Sequence, residues 1–453
     1  MKKFNREKAL RKIEFKRKWR SYSRYVYIAV PCVLCCLLCL YFAYSKFFVS
    51  EEQAVIKTTV GDFIHGDVIG AYIDGEYSST IPGKNDGYTV EKVSCDNGAV
   101  GKWNSDDWGL LTTNLSKRTK CNVYFKKVVS KVPDIIAQLD TSGKCPTMNA
   151  DGSVNVTGAE TTNGYLCKAK DAYGDSYYYR GNVTNNYVLF ADKYWRIVRI
   201  NGDGTVRVIY DGTKAHANGE SSADRQIGMS AFNSSYNDNA YVGYMYGQTG
   251  ASTYAAAHAN TNDSTIKAYI DNWYKTNIVG TTNEQYLVDN VFCNDRSISS
   301  NKPSSSYNNL GYGTNVTAYR WYYGPWSSGG YNSNMRLTCP QKNDAFTVSD
   351  TTNGNGALTY PVGLLSTDEI VLAGGWSASN SGYYLYSGQY WWASSPSGFN
   401  GSVADVRRVY SYGDADDASS VFFNNGVRPV FNLKAEVLAQ GSGTVTDPYR
   451  ISS

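Results

Sequence analysis

One stretch limits how this chain can fold more than any other. It runs from Tyr390-Trp391-Trp392-Ala393-Ser394-Ser395-Pro396, through Val403 to Tyr412, to Gly426-Val427-Arg428-Pro429-Val430-Phe431-Asn432-Leu433. Each buried aromatic side chain removes about 150–250 Å² from water, so Tyr390-Trp391-Trp392 belongs in a core. Val427, Val430, Phe431 and Leu433 surround Pro429, and a proline fits a strand's edge, its first residue or a bulge, not its middle. Between these ends, Ala404 and Val406 point to one side, with Asp405 and Arg407 opposite. Arg407-Arg408 breaks that alternation before Val409, which predicts a bulge, and Gly413 to Asp417 is a polar turn. The pattern is a rigid frame around a display surface.

The same residues carry a resemblance. Tyr-Trp-Trp…Ser-Pro at 390–396, Ala404-x-Val406-x-x-Val409 and Gly426 to Leu433 resemble the C-terminal half of FISUMP-type bacterial surface domains. The resemblance extends back through Tyr194 to Arg199 and Thr265 to Tyr274, and so covers roughly residues 180–435. It implies the C-type-lectin-like fold shared by formylglycine-generating enzymes and the variable proteins of diversity-generating retroelements. It implies no activity, because the family mostly lacks assigned ones. The paired active-site cysteines of formylglycine-generating enzymes have no matching motif here, and that activity is not carried over. The Glu-Pro-Asn, Gln-Pro-Asp and Trp-Asn-Asp motifs of calcium-dependent sugar binders are also missing from the sequence.

Composition supports β structure. The chain of 453 residues has 39 tyrosines and 42 glycines, and only 19% of it is charged. The formal net charge of +4 is unevenly spread: residues 1–24 hold eleven Lys or Arg against Glu7 and Glu14, about +9, leaving about −5 for the rest. Tyr25 to Tyr44 carries no charge and is long enough to cross a hydrocarbon core of ~30 Å. The basic flank predicts a single-pass plasma-membrane anchor with the N-terminus cytoplasmic and the bulk extracellular. A cleaved signal peptide would have a shorter apolar region and a small-x-small site.

Four of the ten cysteines, Cys32, Cys35, Cys36 and Cys39, sit in this apolar run and read as lipid-facing or acylated rather than as a metal cluster. The other six are Cys95, Cys121, Cys145, Cys167, Cys293 and Cys339. An even number in an exported region predicts disulfides, in any of 15 connectivities. Pairing of sequence neighbours is the simplest, at roughly 3–4 kcal/mol each in the chain-entropy model.

The expected fold class is α+β: a C-type-lectin-like large domain, preceded by a small all-β domain and an N-terminal transmembrane helix. The expected domains are a basic cytoplasmic tail (1–24), the anchor (25–47), a small β-sandwich-like spacer (58–126), a disulfide-stapled connector (127–176) and the large domain (177–453). In the spacer, Asp74-Gly75 between alternating residues marks a hairpin, and Trp103 and Trp108 read as core. In the large domain, 187–190, 194–200 and 206–210 read as a β-meander. Ile266, Tyr269, Ile270, Trp273 and Tyr274 recur at helical spacing and predict a helix over Thr265 to Asn277. Ser366 with Glu369 fits a capping box, which makes Glu369 a cap before it is a catalytic acid.

No nucleophile elbow, phosphate loop or metal-spaced cluster occurs in the sequence, and His65, His216 and His258 lie in different segments. The reading is therefore non-catalytic, with no cofactor, no metal and no nucleic acid. Asp414, Asp416 and Asp417 read as a solvated turn before a cation site. Asn114, Asn155, Asn182, Asn233, Asn262, Asn315 and Asn400 begin Asn-x-Ser/Thr acceptors, a number expected in so Asn-rich a chain. The expected function is a membrane-anchored extracellular ligand-binding protein, adhesin- or receptor-like, whose ligand is a surface protein or glycan. Its face would be Phe399, Asn400, Asp405, Arg407, Arg408, Tyr410, Tyr412 and Asn424, combining aromatic area with adaptable hydrogen bonding. The alternatives are a structural cell-surface protein without a small ligand and an enzyme of unrecognised type.

Overall fold

The computed structural model describes residues 11–12, 14–19, 68–84, 86–105, 107–114, 118–251, 253–297, 317–318, 334–376, 379–415 and 417–451. The chain divides into two compact units, Met1–Lys126 and Lys127–Ser453.

In the smaller unit, Val68–Ile73 and Glu76–Ser78 form a hairpin across Asp74-Gly75. Both turn residues have positive φ (49° and 91°), as a turn matching the strand twist requires. Val68–Ile73 also pairs in parallel with Lys120–Lys127, whose far side holds Tyr88–Cys95, completing a four-stranded sheet. Trp108, Val123 and Phe125 are buried, and the Trp103 ring meets both Trp108 and Phe125 edge-on at 5.3 Å. These tryptophans are core. Cys95–Cys121 staples the sheet, which suits a unit with so small a core.

Among the described residues the larger unit holds two six-stranded sheets. In the first, Val430–Leu433, Val206–Gly212, Lys193–Ile200, Gly174–Gly181 and Gly164–Asp171 lie side by side, and Tyr187–Phe190 also pairs with Lys193–Ile200. In the second, the order is Met229–Ala231, Asn424–Gly426, Trp391–Phe399, Ala404–Val409 and Asp417–Ser420, with Thr317–Ala318 on Trp391–Phe399. Asn424–Gly426 and Val430–Leu433 belong to different sheets, so the run through Pro429 links the two. Pro429 stands just ahead of its strand, where its missing N–H costs no ladder bond.

Helix Thr265–Asn277 opens on Ser264, whose hydroxyl accepts from the Lys267 amide, and buries Ile266, Ile270 and Tyr274. Its Trp273 lies 6.3 Å from Trp195, and Trp195 stacks on Phe431 at 4.6 Å. The Ser366–Glu369 capping box is formed at the start of Thr367–Ala373. Arg180 donates to the carbonyls of Val371 and Leu372 at the other end of that helix.

Arginines fill much of this core. Arg225 and Arg428 both donate to Asp211 Oδ1, while Arg199 and Arg207 both donate to Glu369 Oε1. All six side chains are at most 4% exposed. Burial opposes ionisation of Glu369, but Arg207 and then Arg199 outweigh it and hold its carboxyl below the ordinary range.

The remaining disulfides are Cys145–Cys167 and Cys293–Cys339, so the three bridges join sequence neighbours. Residues 127–176, expected to be a connector, lie within the larger unit: Gly164–Asp171 is an edge strand of its first sheet, and the Lys131 amide donates to Leu438 O at 2.7 Å.

Two expectations are corrected. Among the described residues the chain is mostly β rather than α+β, because strands dominate and the helices are few and short. One periodic helix and one capping box weigh heavily in a sequence, but together they cover few residues. Among the described residues no helix is long and apolar enough to cross a membrane. The expected span at 25–47, with its four cysteines, lies outside the described residues. Membrane anchoring through one helix, and the plasma-membrane location and membrane partner that followed from it, are therefore not supported.

Candidate functional site

Trp391–Phe399 is buried along its whole length and forms the spine of the second sheet. Trp392 donates its indole N–H to Ser230 O at 2.8 Å, and the Arg428 guanidinium lies 5.0 Å from the Trp391 ring centre. Ala404–Val409 runs antiparallel beside it, with Trp391 opposite Val409 and Trp392 opposite Arg408. Beyond Val409 the chain turns: the Tyr410 amide donates to Asp414 O, and the Gly413 amide donates to Tyr410 O. Gly413 has φ +88°, and a Cβ there would run into the Asn380 carbonyl. This fixed turn presents Tyr410 and Tyr412 at one end of the sheet.

Four side chains form a continuous strip there. Tyr390 and Tyr410 meet edge-on at 4.6 Å, and Tyr412 lies 4.9 Å from Tyr410. The Arg408 guanidinium sits 4.4 Å from the Tyr390 ring centre and 6.0 Å from that of Tyr410. Its Nη1 donates to Asn425 Oδ1 at 3.0 Å, which fixes the cation in place. Tyr412 is 61% exposed, Tyr390, Arg408 and Tyr410 are half-buried, and Asn424 is exposed beside Asn425.

The structure divides the eight expected face residues. Arg408, Tyr410, Tyr412 and Asn424 belong to this end of the sheet. Phe399 and Arg407 are 1% and 2% exposed and are removed from the face. Phe399 joins the main hydrophobic core, and Arg407 lies on a strand covered on both sides. Asp405 is half-buried and accepts from Ser420 Oγ at 2.9 Å, and burial raises its pKa. Asn400 is exposed but lies past the other end of Trp391–Phe399, where its Oδ1 accepts from the Ser402 and Val403 amides.

Tyr390 is the residue that sequence reasoning placed only in the frame. The signal that finds it is register: with Trp391 opposite Val409, Tyr390 falls beside Tyr410. The expected bulge at Arg407-Arg408 also moves. Residues 405–408 pair regularly with Asp417–Ser420, and the register shift lies against Trp391–Phe399 around Pro396. The extra residues are on the proline's strand, where a missing N–H is tolerated.

A second exposed aromatic group, Tyr236, Phe422 and Phe423, sits near the opposite end of Ala404–Val409, since the Ala404 amide donates to Tyr236 O. Its ring centres are 4.8 and 4.3 Å apart.

Elsewhere, several titratable groups are held by hydrogen bonds or burial. His216 Nδ1 and Nε2 contact Glu220 and Asp224 at 2.7 and 2.8 Å. The His216 hydrogen bond holds Glu220 below the ordinary range, and for Asp224 the bonds from His216 and Thr213 overcome burial. Burial, aided by Arg296, pushes His258 down to about 2. His65 lies outside the described residues. Arg207, Ser366, Asp368 and Glu369 border a cavity of about 10 Å³, room for about one water. No group of three His, Cys, Asp or Glu among the described residues is placed to hold a metal ion. Of the aspartate turn, Asp416 and the Asp417 side chain lie outside the described residues.

The family described as Domain of unknown function (DUF6273) matches residues 329–435, just under a quarter of the chain. The matched stretch contains Trp391–Phe399, Ala404–Val409 and the whole strip. No curated protein matches the chain, and no solved structure does.

Proposed function

We propose that this chain is an exported, non-catalytic ligand-binding protein that engages its ligand through the Tyr390–Arg408–Tyr410–Tyr412 strip. The observation that carries the reading is the strip itself, a partly exposed aromatic ladder with one ordered cation, mounted beside the fully buried strand Trp391–Phe399. Tyrosine offers large contact area with few rotatable bonds, so little entropy is lost when a ligand is held. A site on rigid elements keeps its geometry better than one on loops. Three disulfides favour an oxidising compartment. The resemblance of residues 180–435 to FISUMP-type surface domains adds support, because the strip and its frame are among the residues that carry it.

A glycan array and a surface-protein array, probed with the full chain with and without a chelator, test this. Saturable binding should fall at least about tenfold in the Arg408→Ala, Tyr410→Ala, Tyr412→Ala triple variant, with the melting temperature unchanged. Unaltered binding in that variant removes the strip as the site.

The exposed Tyr236, Phe422 and Phe423 favour a second reading, a structural protein that associates through this patch. That reading requires concentration-dependent self-association that Phe422→Ser with Phe423→Ser abolishes.

A further inference from the structure

The first sheet of the larger unit has a feature outside the strip. Strands Gly164–Asp171 and Gly174–Gly181, the loop after Gly181 and the chain following helix Val132–Ile136 border an open cavity of about 330 Å³. That lies at the lower end of the ~300–1,000 Å³ of small-molecule sites. Its walls are polar and almost uncharged: amides from Gln138, Asn182 and Asn185, and rings from Tyr165 and Tyr179.

The one charged side chain in the wall is already used. Asp140 Oδ1 accepts from the Ser142 amide and hydroxyl at 2.9 and 2.5 Å, and Oδ2 accepts from the Lys144 and Cys145 amides at 2.9 and 3.0 Å. Four donors saturate the carboxylate, so it holds its loop and is a poor partner for a cation. No Lys or Arg lines the space, so an anion finds no countercharge.

The amides are set by their neighbours. Asn185 Nδ2 donates to Gln138 Oε1 at 2.9 Å, which leaves Asn185 Oδ1 as an acceptor. Asn182 Oδ1 accepts from Asn218 Nδ2 at 2.7 Å, which leaves Asn182 Nδ2 as a donor. The half-buried Tyr165 adds an aromatic surface, and Tyr179 is 3% exposed with a hydroxyl that has no hydrogen-bond partner. Fixed amide donors and acceptors, aromatic area and no available charge match one ligand chemistry: a compact neutral polyol whose hydroxyls donate and accept and whose C–H face packs on a ring.

We infer that this cavity is a subsite for a neutral sugar, about one monosaccharide in size. It is a separate site from the strip and does not depend on it.

Saturation-transfer NMR on the full chain, titrated with glucose, galactose, mannose and N-acetylglucosamine, and with glucuronic acid and glucosamine as charged controls, tests the inference. At least one neutral sugar should give saturable transfer that is stronger than from either charged control. Tyr165→Ala and Asn185→Ala, each checked for an unchanged melting temperature, should each weaken it by roughly tenfold. The strip triple variant should leave it unchanged. The inference is overturned by no saturable transfer from any neutral sugar, by equal binding of the charged controls, or by binding that survives both cavity variants. Loss of sugar binding in the strip variant alone would also overturn it, by placing the sugar on the strip.

Discussion

Glu369 shows how much one residue's role depends on partners far away in sequence. Its carboxylate closes a capping box with Ser366, and it also receives Arg199 and Arg207, which are 170 and 162 residues distant. The cap was legible, because its partner is three residues away. The arginine pair was not, because an arginine in a strand reads as solvent-facing until its acid is known. Arg407, which is 2% exposed on its strand, also read as solvent-facing. Glu369→Ala leaves the buried Arg207 without its acid, while Arg199 keeps Asp171 at 2.6 Å, and should cost about 3–5 kcal/mol in urea unfolding. A cost near zero would mean that the ion cluster contributes nothing net. Asp140 gives a pH signature. The Ser142 hydroxyl and then its amide, aided by the Cys145 and Lys144 amides, take its pKa from 3.8 to about 2. Because the folded value is the lower one, the stabilisation is complete above 3.8 and is lost as pH falls through about 2. Asp140→Asn should therefore lower the melting temperature at neutral pH and flatten its fall across that acid range.

Elements governed by local rules were readable, and elements governed by pairing were not. Helix Thr265–Asn277 has the bounds its apolar spacing predicts, since the period lies within its own residues and the N-cap Ser264 directly before them. Removing the other cap tests the same principle: Ser366→Ala should cost about 1 kcal/mol, read as a shift in the unfolding midpoint at constant m-value. The register shift beside Pro396 and the placement of Tyr390 opposite Tyr410 depend on how two strands align, and nothing in either strand alone states that alignment. Arg408, Tyr410, Tyr412 and Asn424 fall at one end of the second sheet through register and the turn at Gly413, which alternation alone does not give. Phe399 and Arg407 fail because both sides of the sheet are covered.

Across the molecule, the division into a small stapled unit and a larger two-sheet unit follows from where buried area and disulfides fall. The meander and the closing apolar run were visible as strands. That Val430–Leu433 leaves the second sheet for the first was not, because sheet membership is a long-range property. Cys293–Cys339 spans 46 residues, so Cys293→Ser with Cys339→Ser should cost about 2–5 kcal/mol and lower the melting temperature. Reductant opens the other two bridges as well, so on adding it the unmodified chain should lose more stability than the variant does. Ligand binding by the strip remains the property to test. The most direct measurement compares the intact chain with its Arg408→Ala, Tyr410→Ala, Tyr412→Ala variant on one array of glycans and surface proteins. Saturable binding by the intact chain and a loss of at least about tenfold in an equally stable variant are expected. Equal binding by both proteins, or none by the intact chain, would contradict it.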